Sequence, residues 1–269
     1  MDFENITLEI DTRGVATLSL NRPGRHNALN GALIGELRRA AESLAADDNV
    51  RVVVLAGAGR SFCAGGDFRW FAANTGLARA GRIAQARSLA GALQVLNELP
   101  KPLIGRIHGP AYGGGVGLIA VCDLAIGAVE ARFGLTEVRL GLIPATIAPY
   151  VVARISEAHA RASMLSGALF DAARARHIGL LAETVPADDL PARVEAVIEE
   201  HLQAAPGAVA ETKRLIRYVD GHGMADNMSH TAERLADAWE TEEGKAGIDA
   251  FLNKRTPPWR RPPGGKPGQ

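Results

Sequence analysis

The chain has little cysteine, no excess charge of either sign and no long apolar run. Its two cysteines, Cys63 and Cys122, stand in unrelated settings. That is too few for a disulfide framework, so a reducing compartment is expected. Lys and Arg total 30, and so do Asp and Glu, giving a formal net charge of zero. A nucleic-acid or anionic-membrane partner usually leaves a basic excess, so neither is expected. Lys213, Arg214 and Arg217 cluster locally and read as one solvated helix face. No apolar stretch reaches the roughly 18 residues of a membrane span. Met1-Asp2-Phe3-Glu4 lacks the basic start and apolar run of a secretory signal, and the cytoplasm is the expected location. The seven histidines form no spaced cluster with cysteine or acid, so no metal site is expected. What is present, 47% hydrophobic and 22% charged residues, is the composition of a soluble globular protein. A length of 269 residues suits one large domain with an extension.

Ile6–Glu9 and Val15–Leu20 alternate apolar and polar residues around Asp11-Thr12-Arg13-Gly14, which predicts an edge hairpin. Asn30 reads as the N-cap of a helix carrying Leu33, Ile34, Leu37, Ala40, Ala41 and Leu44, closed by Asp47-Asp48. Arg51–Ala56, Leu103–Ile107 and Leu124–Ala128 are short apolar runs that read as strands buried on both faces. Helical patterns at Ile83–Leu99 and Gly114–Val121 lie between them, so repeated ββα or βαβ units are predicted. Beyond about residue 156 the pattern turns helical. Ser156–Leu165 with a serine cap, Ala172–Ile178, Leu190–Leu202, Val209–Tyr218 and Ala225–Glu240 read as helices, with one short strand near Ala182–Val185. The tail from Thr256 to Gln269 is rich in proline and glycine and reads as extended and poorly ordered.

Two glycine-rich segments and one acid stand out. Ser61-Phe62-Cys63-Ala64-Gly65-Gly66-Asp67 and His108-Gly109-Pro110-Ala111-Tyr112-Gly113-Gly114-Gly115 each follow a buried strand and open a helix. Such a backbone exposes N–H groups, and two of them aimed at one point make an oxyanion hole. Each segment also has a plain reading. The first is a tight turn with Asp67 at a helix start, and Cys63 and Cys122 are small buried hydrophobes rather than nucleophiles. The second lacks the Lys-Ser/Thr of a phosphate loop. From Gly115 to Ala120 it fits only the loose G-x-G-x-x-A pattern, which keeps dinucleotide binding open as an alternative. Glu137 is either a solvated acid paired with Arg139 or a carboxylate placed to move a proton beside a stabilised oxyanion.

Taken in order, these segments resemble the crotonase superfamily, the enoyl-CoA hydratase/isomerase family. The resemblance runs from Val15 to about Trp259. It covers Asn21-Arg22-Pro23, Asn27-Ala28-Leu29, both glycine segments with Cys122-Asp123, Phe133 to Pro144, and a closing helix at Gly247–Arg255. It implies an α/β fold with a ββα spiral core (residues 1–196), a helical trimerisation region (197–255) and the tail (256–269). It implies an acyl-CoA thioester substrate, with coenzyme A as part of the substrate and no other cofactor, and a homotrimer or homohexamer. The N–H groups of Ala64 and Gly114 would form the oxyanion hole and Glu137 would be the acid/base. Arg25, Ala28, Leu29, Ala64, Gly66, Asp67 and Phe68 would line the CoA site. Phe251 and Lys254 match positions that reach the CoA of a neighbouring subunit.

The best-known hydratases of the family use two carboxylates. The second would stand at Gly117, which carries no side chain. Within the family the chain is similar to bacterial methylglutaconyl-CoA and isohexenylglutaconyl-CoA hydratases around Tyr112–Leu118, Thr136–Ala145 and Phe170–Ala173. It departs from them at Thr136, Ala148 and Ser166-Gly167-Ala168. The expected activity is hydration of a branched or dicarboxylic enoyl-CoA. A Δ3,Δ2-enoyl-CoA isomerase and a silent CoA-binding scaffold are the alternatives.

Overall fold

A computed structural model describes residues 2–260. The part of the expected tail from residue 261 onward lies outside the described residues. Strands β1 (Ile6–Ile10) and β2 (Val15–Leu20) form the predicted antiparallel hairpin, in register from Ile6↔Leu20 to Ile10↔Ala16. Asn30 caps α1 (Gly31–Ala46), its side-chain oxygen accepting from Leu33 N at 2.9 Å. The chain continues through β3 (Val52–Gly57), α2 (Phe68–Thr75), α3 (Arg79–Glu98), β4 (Leu103–Ile107), β5 (Ala111–Tyr112), α4 (Gly114–Ala120), β6 (Leu124–Ala128) and β7 (Arg132–Gly134). Then come α5 (Ala148–Met164), β8 (Phe170–Asp171), α6 (Ala172–His177), β9 (Glu183–Val185), α7 (Leu190–Leu202), α8 (Pro206–Gly221), α9 (Met224–Glu240) and α10 (Glu242–Leu252).

The main sheet has the order β1-β2-β3-β4-β6-β9 and is parallel from β2 onward. Successive side chains of a strand point to opposite faces, and β3 illustrates the result. Val53 and Leu55 pack with Leu33, Leu37 and Leu93 of α1 and α3. Val52 and Val54 pack with Ile104, Ile126 and the α7 residues Leu190, Val194, Val197 and Ile198. Burying each such aliphatic side chain contributes about 1.5–3 kcal/mol, so a strand apolar on both faces is stable only between two helical layers. The expected boundary at 196/197 therefore needs correction. It falls inside α7, whose Val197 and Ile198 belong to the sheet core.

A second, three-stranded sheet joins β5, β7 and β8. Its strands are only two or three residues long, and its function is positional: it pairs Tyr112 with Gly134, which sets the start of α4 beside the residues after β7. Helices α8 and α9 bury none of their residues within the chain. They are tethered by polar contacts: Lys213 Nζ to Asp123 Oδ2 at 2.6 Å, and the Glu243 carboxylate accepting from Gly207 N and Ala208 N at 3.1 and 2.8 Å. The basic face is thus not simply solvated. Lys213 reaches back to the core, Arg214 pairs with Glu211, and Arg217 approaches Glu98 at 3.9 Å.

Candidate active site

One buried side chain assembles the first wall. Asn27 Oδ1 accepts from Arg22 N at 2.8 Å, and its Nδ2 donates to the carbonyls of Ala58, Ser61 and Phe62 at 2.8, 2.9 and 3.1 Å. The loop after β2 is thereby fastened to the loop after β3. Arg22 adds an ion pair to Asp67 at 2.9 Å and a hydrogen bond to the Ala28 carbonyl. Burial acts to raise the Asp67 carboxyl, but the Arg22 guanidinium and the Arg69 N–H outweigh it, so its pKa lies below the ordinary aspartate value. Asp67 also caps α2, accepting from Arg69 N at 2.9 Å. It is a structural anchor and does not line the cavity described below.

The backbone register of this wall decides which N–H groups are free. Leu29 and Gly66 form a parallel bridge in which Leu29 N donates to Gly65 O at 2.7 Å and Asp67 N donates to Leu29 O at 2.9 Å. Alternation along an extended chain turns the Gly66 N–H to the opposite side, where it has no acceptor among the described residues. The Ala64 N–H, expected as an oxyanion donor, is occupied: it donates to the His26 carbonyl at 2.9 Å. Ala64 is therefore not free for that role, and the free amide of this wall is that of Gly66. On the second wall Gly113 N donates to Gly134 O at 2.8 Å, while the Gly114 N–H, first in α4, has no acceptor among the described residues. Those first-turn amides lack helical partners by geometry.

Gly66 and Gly114 line one cavity of about 360 Å³ together with Leu29, Ala64, Phe68, Trp70, Phe71 and Glu137. Glu137 opens a short 3-10 turn after β7 (Glu137–Leu140). Its Oε2 is buried with no hydrogen-bond partner among the described residues. Desolvation pushes its pKa above the ordinary glutamate value. Arg139 does not pair with it; its Nε donates to the Ser166 carbonyl at 3.3 Å. The approach is close enough to explain Gly113: at φ +47°, a Cβ there would stand 2.7 Å from Glu137 Oε1.

Gly117 has an equally concrete reason. A Cβ at this position would lie 2.3 Å from Cγ2 and 2.9 Å from Cβ of Ile147, a buried residue that also lines the cavity. The space a second carboxylate would need is filled by an aliphatic side chain.

Of the expected CoA-site residues, Leu29, Ala64, Gly66 and Phe68 line the cavity, while Arg25, Ala28 and Asp67 lie on the same loops outside it. Phe251 sits in the last turn of α10, 83% exposed, and Lys254 follows it; neither lines the cavity within one chain. The cysteines are inert, as expected: both are buried, and burial pushes each thiol up to about 12. Among the described residues no His/Cys/Asp/Glu group is arranged to hold a metal. Sequence reading missed Asn74, Arg82, Gln85 and Thr146, all of which line the cavity. The spacing of Arg82, Gln85, Ala86 and Leu89 marks one helical face, a signal that was available.

The family model described as enoyl-CoA hydratase/isomerase matches residues 11–262. The chain belongs to this family. It is therefore an enzyme of the crotonase type, and the mixed α/β fold with a helical C-terminal region is the fold of its relatives. The Pseudomonas aeruginosa protein AtuE superposes with a TM-score of 0.93 at 37% identity, covering 96% of this chain and 100% of that one. An enoyl-CoA hydratase from Shewanella pealeana superposes with a TM-score of 0.92 at 34% identity, covering 96% of both chains. A 2,3-dehydroadipyl-CoA hydratase of Escherichia coli is 31% identical over 248 residues, 91% of this chain and 95% of its own length. Among the described residues, no helix is long and apolar enough to cross a membrane.

Proposed function

We propose that this enzyme hydrates 2-enoyl-CoA thioesters whose acyl group is branched or carries a second carboxylate. The observation that carries the reading is Glu137, whose buried Oε2 has no partner in a cavity lined by two unoccupied N–H groups. Gly66 and Gly114 N–H would hold the thioester oxygen. Water adds to the β-carbon while Glu137 takes one of its protons. The carbon–carbon π pair moves to the α-carbon and the carbonyl π pair to oxygen, forming an enolate. Protonated Glu137 then returns its proton to the α-carbon as the carbonyl re-forms. Negative charge develops on oxygen where the donors stand, and each donor contributes about 100- to 1000-fold in rate. Coenzyme A is part of the substrate in this proposal, and no further cofactor is required. The branched or dicarboxylic assignment draws support from the motifs shared with methylglutaconyl-CoA and isohexenylglutaconyl-CoA hydratases and from the relative named for 2,3-dehydroadipyl-CoA.

Glu137→Gln tests the central role. The variant is expected to fold, to bind CoA thioesters, and to lose about 100- to 10,000-fold in kcat. Wild-type turnover would end the proposal.

Ile147 in place of a second carboxylate favours one other reading, a Δ3,Δ2-enoyl-CoA isomerase. There Glu137 would remove an α-proton from a 3-enoyl thioester and return it at the γ-carbon, with no water involved.

The assembly and location belong to the same proposal. Ile216, Val219, Met224, Met228, Leu235 and Trp239 are exposed on α8 and α9, and a homotrimer or a dimer of trimers would cover them. Phe251 and Lys254 would meet the CoA of a neighbouring copy. The cytoplasm is the proposed location.

A further inference from the structure

Two charged side chains line the cavity: Glu137 and Arg82. Glu137 is accounted for by the chemistry. Arg82 is not. It sits in the first turn of α3, and no carboxylate pairs with it among the described residues. Its single hydrogen bond is a long one, Nη1 to the Thr75 carbonyl at 3.4 Å. Arg82 is exposed, and most donors of its guanidinium have no acceptor among the described residues. We propose that Arg82 recognises a carboxylate at the far end of the acyl chain, assisted by the amides of Gln85 and Asn74. This rests on the hydratase reading and narrows its substrate class to dicarboxylic enoyl-CoA thioesters.

The order of residues along α3 supports the assignment. Arg82, Gln85, Ala86 and Leu89 share one face. At 1.5 Å per residue that face extends about 10 Å. It runs from Leu89, packed against the core, to Arg82 at the helix start. Trp70 and Phe71 of α2 add apolar surface to the same wall. In the hydratase reading the thioester sits at Gly114 and Glu137, and the proposed CoA path follows the loops at 25–29 and 64–68. The α2–α3 wall is then left for the acyl chain. It presents apolar surface first and a cation after it. A chain ending in a methyl group would gain nothing from an unpaired guanidinium, whereas a terminal carboxylate forms charge-assisted, bidentate hydrogen bonds with it.

Saturated analogues separate recognition from turnover. Adipyl-CoA and hexanoyl-CoA have the same chain length and differ only in the terminal carboxylate. Calorimetry on the full-length enzyme is expected to find adipyl-CoA bound more tightly. Arg82→Met should reduce that preference by about 10- to 100-fold, the usual effect of losing a hydrogen bond to a charged group, and Arg82→Lys should retain part of it. Equal weakening of both analogues would mean that Arg82 serves the CoA phosphates or the fold, and would overturn the inference. So would a preference that does not move, or no preference in the wild type. Hydration of 2,3-dehydroadipyl-CoA and 2-hexenoyl-CoA is measured alongside. No adipyl preference in the wild type, or one that Arg82→Met leaves in place, with both thioesters hydrated, overturns the carboxylate site alone. A preference that depends on Arg82, with neither thioester hydrated, overturns the hydratase reading instead.

Discussion

Burial dominates the surroundings of Glu137 and raises its pKa; its own backbone N–H acts the other way and is outweighed. Its protonated form is therefore favoured by folding. The stability it contributes is fully present below the unfolded value of 4.5 and is lost as pH rises through the higher folded value. Two results are expected. The acid limb of kcat/KM should lie above 4.5, because the base is active only when ionised. Glu137→Gln should remove this limb from any residual activity and should not lower the unfolding midpoint at neutral pH. An acid limb at or below 4.5 would contradict the desolvated setting. Glu137 was legible in the sequence from its place after Phe133-Gly134-Leu135. The free amide of the first wall lies two residues beyond the expected Ala64, at Gly66, because which amide is free depends on a backbone register. Only the Leu29–Gly66 bridge fixes which amides turn inward.

At the scale of elements, the contact of α4 with Ile147 replaces a catalytic side chain with packing. Gly117→Glu is expected to destabilise the fold by about 1–3 kcal/mol through overpacking, measured by urea unfolding. Adding Ile147→Ala should recover most of the loss by opening the space. If Gly117→Glu alone left stability unchanged, the close approach of α4 and Ile147 would be wrong. Helix α5 contains a second local feature. Ser156, at φ +66° and ψ 160°, interrupts the helix in a region almost reserved for glycine. Ser156→Gly is expected to stabilise the protein by about 1 kcal/mol, since strain of this kind costs about 1–3 kcal/mol. An unchanged or lower urea midpoint would count against that strain. The sequence predicted a helix starting at Ser156 as its cap. The chain does break at the serine: α5 is two helical segments joined at a kink, Ala148 opening the first and Ser156 standing at the start of the second. Pro149 sits in the first turn, where its missing N–H is harmless. The hairpin strands and the longer helices were legible because their apolar residues recur at a period of two or of about 3.6, and β3, β4 and β6 because they are short unbroken apolar runs. The strands β5, β7 and β8 were not, because two or three residues establish no period.

Across the whole molecule, the core closes between α1 and α3 on one face of the sheet and α7 on the other, while α8 and α9 keep their apolar residues outside. Large apolar side chains exposed on two successive helices fit the proposed interface. Light scattering on the purified protein is expected to give three or six times the 28.3 kDa chain mass. Trp239→Asp should shift it toward the monomer, and a monomeric wild type would contradict the proposed assembly. The proposed partner contacts come only from the family resemblance, since an amphipathic helix does not state what covers it. The central claim is chemical: one buried glutamate beside two free amides adds water to an enoyl thioester. The most direct test is turnover of 2-enoyl-CoA in heavy-oxygen water, read by mass spectrometry. The account expects a 3-hydroxyacyl-CoA carrying one solvent oxygen; a shifted double bond without label, or no product from any enoyl-CoA, would contradict it.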